Sequence, residues 1–331
     1  MTNNITSPKV LSLLLAAGTL AAGVATATAG TAAAAPAAVT KTVVIGLDGT
    51  MLDYVKSANT PNLHRLIAEG TSGQSSILGH PTISGPSWST ILTGVWHTKH
   101  GVVDNSFNGS RYDQYPTAFT RIEQVKPELR TASISTWGGI ATIAGSGNPK
   151  ADVVVTTPGV GSEAATDAAT ANAVAAEITS NGPDFVFTQL DQVDGAGHSS
   201  GTAGPEYVPA LERVDVEVGK IVAAVDARSK ATGEKWTVLV TSDHGHKPTG
   251  GHGGQSAEEA STFVIARGAG YQAGATDDDY TIADITPTVL DNLGIAEPAD
   301  LDGAPLAKTA PPATGSLGLL SSWIPTGSLG S

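Results

Sequence analysis

"KTVVIGLDGT", residues 41–50, sets the β-branched Val43, Val44 and Ile45 in an apolar run and ends it abruptly on Asp48-Gly49. The run lacks the apolar–polar alternation of a strand with one wet face. It reads as a strand buried on both faces, the signature of a parallel sheet. An aspartate after a strand is by itself most simply a turn former or a helix N-cap.

The same grammar recurs along the chain. "TASIST" (131–136), "ADVVVTT" (151–157), "DFVFTQL" (184–190), "WTVLVTS" (236–242) and "STFVIARG" (261–268) read as further strands. Between them, "TPNLHRLIAEG" (60–70) reads as a helix with Thr60 as N-cap, Pro61 at its first position and Gly70 as its stop. Ala-rich helical stretches cover roughly 162–180, 205–229 and 283–293. Strands alternating with helices predict an α/β fold: a mostly parallel central sheet covered by helices on both faces. Such sheets gather ligands at the carboxyl ends of their strands.

Composition narrows the chemistry. The 331 residues carry a net charge of −13 with no long run of like charge, which argues against nucleic-acid binding. There is no cysteine, so disulfides, thiolate nucleophiles and Cys-based zinc sites are excluded, and any metal must be held by His and carboxylates. Residues 1–38 combine Lys9, the apolar run "LSLLLAAGTLAAGVA" and a small-residue stretch. They read as a secretory signal peptide cleaved between Ala27 and Ala38, giving a secreted protein with no stable membrane association. Residues 39–307 read as one catalytic domain, and the Pro/Gly/Ser-rich 308–331 as a flexible tail.

Three of the strands run into metal-ligand chemistry. Asp48 follows the first; Asp194 and His198, four apart, follow 184–190; Asp243, His244 and then His252 follow 236–242. The last group lies in "TSDHGHKPTGGHGG" (241–254), which holds three of the chain's eight histidines. Each group alone fits a solvated turn, but one end of one sheet brings them together. His246 receives no role at this stage. A nucleophile stands nearby in Ser84, two residues before Pro86, which can open a helix. A helix start favours both an alkoxide and a phosphate oxygen. Thr82 is its rival. A competing reading takes "GHSSG" (197–201) as a G-x-S-x-G nucleophile elbow, with Ser199 attacking and Asp243 and His252 completing a serine-esterase triad. An elbow serine directly follows its strand, however, and "DFVFTQL" ends well before Ser199.

With these residues in view, the chain resembles the alkaline phosphatase superfamily, in particular its type I phosphodiesterase/nucleotide pyrophosphatase branch. "GLDGT", "TPNLHRLIAEG", "LTGVWHTKHGVVDN", "DQVDGAGHSSG", "TSDHGH", "GGHGG" and "DITPTVLDNLGI" match its motifs in order from about 48 to 305. The resemblance implies two zinc ions, with manganese or iron as substitutes. One would be held by Asp194, His198 and His252, the other by Asp48, Asp243, His244 and the Ser84 oxygen. Asn105 matches the branch's asparagine that contacts a phosphate oxygen. The branch usually has Thr then Phe-Pro-Asn at the nucleophile; here Ser84 is followed by Gly85-Pro86-Ser87.

The implied activity is hydrolysis of small phosphodiesters or nucleotide pyrophosphates through a phosphoserine on Ser84. Two cations about 4 Å apart can hold the attacking and leaving oxygens of an in-line displacement, and one of them can ionise the hydroxyl. The alternative within the superfamily is a phosphomonoesterase, which normally adds an arginine and a third metal; no arginine is recognisable near Ser84. A sulfatase would need a formylglycine precursor followed closely by arginine, and none follows Ser84 before Arg111. An inert binding protein of this fold would be expected to have lost a ligand, and none is missing.

Overall fold

The computed structural model describes residues 40–308; the signal-like leader and almost all of the Pro/Gly/Ser-rich tail lie outside them. The strands are β1 (Lys41–Leu47), β2 (Thr71–Ser76), β3 (Thr131–Ser135), β4 (Val153–Thr156), β5 (Phe185–Leu190), β6 (Trp236–Thr241), β7 (Ser261–Arg267) and β8 (Ala275–Thr276). The helices are α1 (Leu52–Ser57), α2 (Pro61–Glu69), α3 (Ser84–Thr93), α4 (His97–His100), α5 (Ala118–Val125), α6 (Gly138–Ala144), α7 (Glu163–Asn181), α8 (Gln192–Ser200), α9 (Tyr207–Thr232) and α10 (Ile285–Asn292).

All eight strands form one sheet in the order β4-β3-β5-β1-β6-β7-β2-β8. The five from β4 to β6 are parallel, as the apolar runs predict. β7 is antiparallel to β6, and β2 to β7. The reason lies in the 242–260 connection, which contains no helix to carry the chain back across the sheet. The chain therefore re-enters the sheet at the end where β6 left it. β2, "TSGQSS", has no large apolar residue to mark it as a strand; pairing with β7 on one side and β8 on the other makes it one.

Alternation along β1 divides the core. Val43, Ile45 and Leu47 pack with Leu63, Leu66, Val174 and Leu211 beneath α2, α7 and α9. Val44 faces the other way, to Trp88, Ile91, Phe187 and Leu290. The predicted helices at 162–180 and 205–229 are α7 and α9. Thr60 does not cap α2 with its side chain; its hydroxyl donates to the Val55 carbonyl. The buried Asp215 of α9 takes over, accepting from the Asn62 and Leu63 amides. No helix among the described residues is long and apolar enough to cross a membrane.

Gly46 is where the Trp88 ring meets β1: a Cβ there would lie 2.4 Å from the ring. Trp88 also donates to Asp48, so the ring cannot retreat freely. Gly46→Ala is expected to cost about 1–3 kcal/mol through overpacking. Thermal melting of the variant checks this, and an unchanged midpoint would contradict it.

Candidate metal centre

Asp48, directly after β1, is buried. Its Oδ2 accepts from Trp88 Nε1 and from Gln189 Nε2, both at 2.9 Å. Its Oδ1 has no hydrogen-bond partner among the described residues. Asp243, just beyond β6, repeats the pattern: Oδ1 accepts from the Gly49 amide at 3.2 Å, and Oδ2 has no partner. His244 Nδ1 lies 3.2 Å from the Gly245 carbonyl, which it can only meet by donating. Its Nε2 then carries a lone pair. That nitrogen stands 3.6 Å from Asp48 Oδ1, 3.2 Å from Asp243 Oδ2 and 3.3 Å from Ser84 Oγ.

The second cluster is built on α8. "DQVDGAGHSS" contains two glycines and reads as a turn, yet it forms a helix, placing Asp194 and His198 one turn apart on the same face. Asp194 Oδ2 is 3.4 Å from His198 Nε2, and Asp194 Oδ1 is 3.6 Å from His252 Nε2. His198 and His252 bring their Nε2 atoms within 3.0 Å of each other. His252 Nδ1 donates to the Thr82 carbonyl at 2.7 Å, which again leaves Nε2 its lone pair. Asp167 of α7, fully buried, anchors this end of the helix by accepting from the Asp191 and Gln192 amides.

These sets fit metal ions. Four ligand atoms arranged tetrahedrally at ~2.0–2.1 Å from an ion stand roughly 3.3 Å from one another. The spacings around His244 and around Asp194, His198 and His252 scatter about that value. Buried carboxylate oxygens without partners and imidazoles locked with their lone pairs inward are what a cation requires. The charge balance agrees. Burial, then repulsion from Asp243, pushes the Asp48 carboxyl well above the ordinary range; burial, then Asp194, does the same to Asp243. Burial also drives His244 well below the usual imidazole range. Asp194 is held down at about 2: burial opposes this, but the hydrogen bond from His246 and the surrounding imidazoles outweigh it. Asp48 and Asp243 stay fully ionised beside one another only with a positive charge between them.

Ser84 is the first residue of α3, so that helix starts two residues before Pro86 rather than at it. The Ser87 amide reaches back to the Ile83 carbonyl and closes the first turn, while Pro86 sits where an amide has no helical partner. Asn105 accepts from the Gly85 amide at 2.7 Å through Oδ1, and its Nδ2 has no partner among the described residues. The Gly85 amide at the helix start is thus occupied, and Asn105 turns Nδ2 to the other side of its carboxamide. Thr82 is committed to structure, donating to the Gly254 carbonyl and accepting from the Gly253 amide. Ser199 sits inside α8, with its hydroxyl donating to the Ala196 carbonyl, away from any strand-to-helix elbow. A cavity of about 200 Å³ opens over the cluster, lined by Ser84, Asn105, Trp137, Asp191, Asp194, His198 and His252.

Some participants carried no readable signal. Gln189, inside β5, uses its Nε2 to hold both Asp48 and Asp191, and accepts from the Trp137 amide. Asp191 is pushed up to about 7 by burial and by the charge of Asp194. His246, left without a role by the sequence, meets Asp194 Oδ1 at 2.8 Å and is fully buried.

A mostly parallel eight-stranded sheet, helices on both faces and an Asp/His cluster at the strands' carboxyl ends together define an alkaline-phosphatase-like fold with a candidate metal centre. Residues 42–264 match the type I phosphodiesterase/nucleotide pyrophosphatase family, and the chain belongs to it. It is 26% identical over 226 residues to human ectonucleotide pyrophosphatase/phosphodiesterase family member 7, covering 62% of this chain and 47% of that one. To mouse bis(5'-adenosyl)-triphosphatase it is 24% identical over 222 residues, again covering 62% and 47%. The chain thus spans about half the length of these curated relatives. Among solved structures, an inactive murine ectonucleotide pyrophosphatase/phosphodiesterase 5 in complex with AMP superposes with a TM-score of 0.60 at 14% identity, covering 78% of this chain and 96% of that one. The phosphonate monoester hydrolase of Silicibacter pomeroyi gives 0.59 at 15% identity, covering 82% and 77%. These two establish the fold.

Proposed function

We propose that the chain is an exported hydrolase of phosphodiester or nucleotide pyrophosphate bonds, working through two zinc ions and a phosphoserine on Ser84. One observation carries the reading: two buried carboxylate oxygens without a partner among the described residues, and Ser84 Oγ, all lie within 3.6 Å of the His244 Nε2 lone pair. Asp48, Asp243, His244 and Ser84 would hold one ion; Asp194, His198 and His252 would hold the other. Bound there, the ions would balance the carboxylates, acidify the hydroxyl and offset charge on the phosphoryl group.

The chain's own residues supply the rest. Ser84 Oγ forms a bond to phosphorus as the bond to the leaving oxygen breaks, and water later cleaves the Oγ–P bond. Asn105 Nδ2 donates to a non-bridging phosphoryl oxygen. Trp88 and Gln189 keep Asp48 in register by holding its other oxygen.

The lining also favours one substrate charge. It contains no Lys or Arg among the described residues, and two of its members, Asp191 and Asp194, are carboxylic acids. A monoester dianion meets that surface less well than a diester monoanion. Turnover of bis-p-nitrophenyl phosphate and p-nitrophenyl thymidine monophosphate is expected to exceed that of p-nitrophenyl phosphate in kcat/KM by about tenfold or more, ~1.4 kcal/mol of transition-state binding. The reverse order would make the chain a monoesterase.

A further inference from the structure

We propose that His246 is a positioning residue of the metal centre, its Nε2–H holding Asp194 Oδ1 so that the carboxylate faces the ion it would share with His198 and His252. The inference rests on the reading of Asp194 as a metal ligand. Two imidazole nitrogens approach Asp194 Oδ1, and their distances separate two kinds of contact. His252 Nε2 is 3.6 Å away, the spacing of two ligands around one ion; His246 Nε2 is 2.8 Å away, the length of a hydrogen bond. An ionised carboxylate only accepts, so His246 Nε2 carries the proton and has no lone pair to offer. The other oxygen, Oδ2, stays on the His198 side at 3.4 Å.

The fold makes room for this ring at two distant points. A Cβ on Gly49 would lie 2.6 Å from His246 Nε2, and a Cβ on Gly197 would lie 2.4 Å from its Cδ2. Gly49 adopts φ +64°, and its carbonyl is held by the Tyr207 hydroxyl at 2.7 Å. The ring therefore lies wedged between the turn after β1 and helix α8, with one polar contact, to Asp194. Its Nδ1 has no partner among the described residues, so Asp194 and the shape of the slot orient it. Hydrogen bonds to ligating groups typically tune metal affinity or activity by ~10–100-fold.

Zinc titration of the full chain against a chromophoric chelator tests this, with circular dichroism to confirm folding. His246→Leu is expected to weaken one of the two zinc equivalents by about 10–100-fold and leave the other unchanged. His246→Gln, whose Nε2–H can reach the same oxygen, should recover most of that loss. Gly197→Ala, which displaces the ring, should weaken the same equivalent. Wild-type zinc binding by His246→Leu overturns the inference, as does a loss that Gln does not recover. Asp194→Asn in the same titration separates the layers. If it weakens zinc while His246→Leu does not, only the role of His246 fails; if it too binds like wild type, the reading of Asp194 as a ligand fails.

Discussion

Ser84→Ala is expected to leave zinc bound and to lower turnover by about three orders of magnitude or more, the scale seen when a covalent nucleophile is removed. The substitution deletes the attacking oxygen but none of the three carboxylates and three imidazoles grouped around it. Ser84 is buried at the first position of α3, so alanine fits the helix without strain. Ser199→Ala is the contrasting control. Its hydroxyl only donates to the Ala196 carbonyl inside α8, and its loss should leave turnover near wild type. Steady-state kinetics on a p-nitrophenyl diester, with metal analysis of each variant, reads both outcomes. Wild-type turnover in Ser84→Ala together with inactivity in Ser199→Ala would restore the serine-esterase reading.

Removing the metal produces the other large effect. A ligand present at a thousand times its Kd stabilises the folded state by about 4 kcal/mol, roughly 10 °C in Tm for a domain of this size. EDTA should lower the melting temperature by at least that much and abolish activity, and zinc should restore both. The metal-free protein should also acquire a particular pH dependence. Asp191, raised to about 7, and Asp48 and Asp243, raised well above their ordinary values, bind protons in the folded state that the unfolded chain has released. Their stabilising contribution is complete below the usual carboxylate range and is lost as pH rises through the folded values. Buried histidines such as His244 and His100 act oppositely, but only below about 6.5, where unfolded imidazoles become charged. Between pH 6.5 and 8.5 the carboxylates act alone. The metal-free protein should lose at most ~1.4 kcal/mol of stability per pH unit for each group across that window, and its Tm should fall accordingly. With zinc bound the fall should vanish, since metal affinity rises as ligands lose protons. A flat metal-free profile would mean that these carboxylates are not forced together.

Much of this arrangement could be read from the sequence. The largely apolar runs of β1, β5 and β6 mark strands buried on both faces, and the Asp and His residues that follow each mark the working end of the sheet. Where packing overrides local preference, the sequence is silent. Helix α8 contains Gly195 and Gly197, which weaken a helix by ~1 kcal/mol each relative to alanine, and it forms because Asp167 and α9 hold it. Gln189 looks like any polar residue inside a strand until β1 places Asp48 beside it. His246 acquires its surroundings from Gly49 and Gly197, one far away in the chain and the other on a helix the pattern does not show. Antiparallel β7 follows from a connection whose path is set by the cluster it builds.

In the proposed centre Asp48, Asp194, His198, Asp243, His244 and His252 hold two metal ions at Ser84. Metal analysis of protein purified without chelator tests it most directly. About two zinc ions per chain, falling to about one in Asp194→Ala or His252→Ala, is the result expected of a two-metal centre. Less than about half an ion per chain, with no activity restored by zinc or manganese, would contradict it.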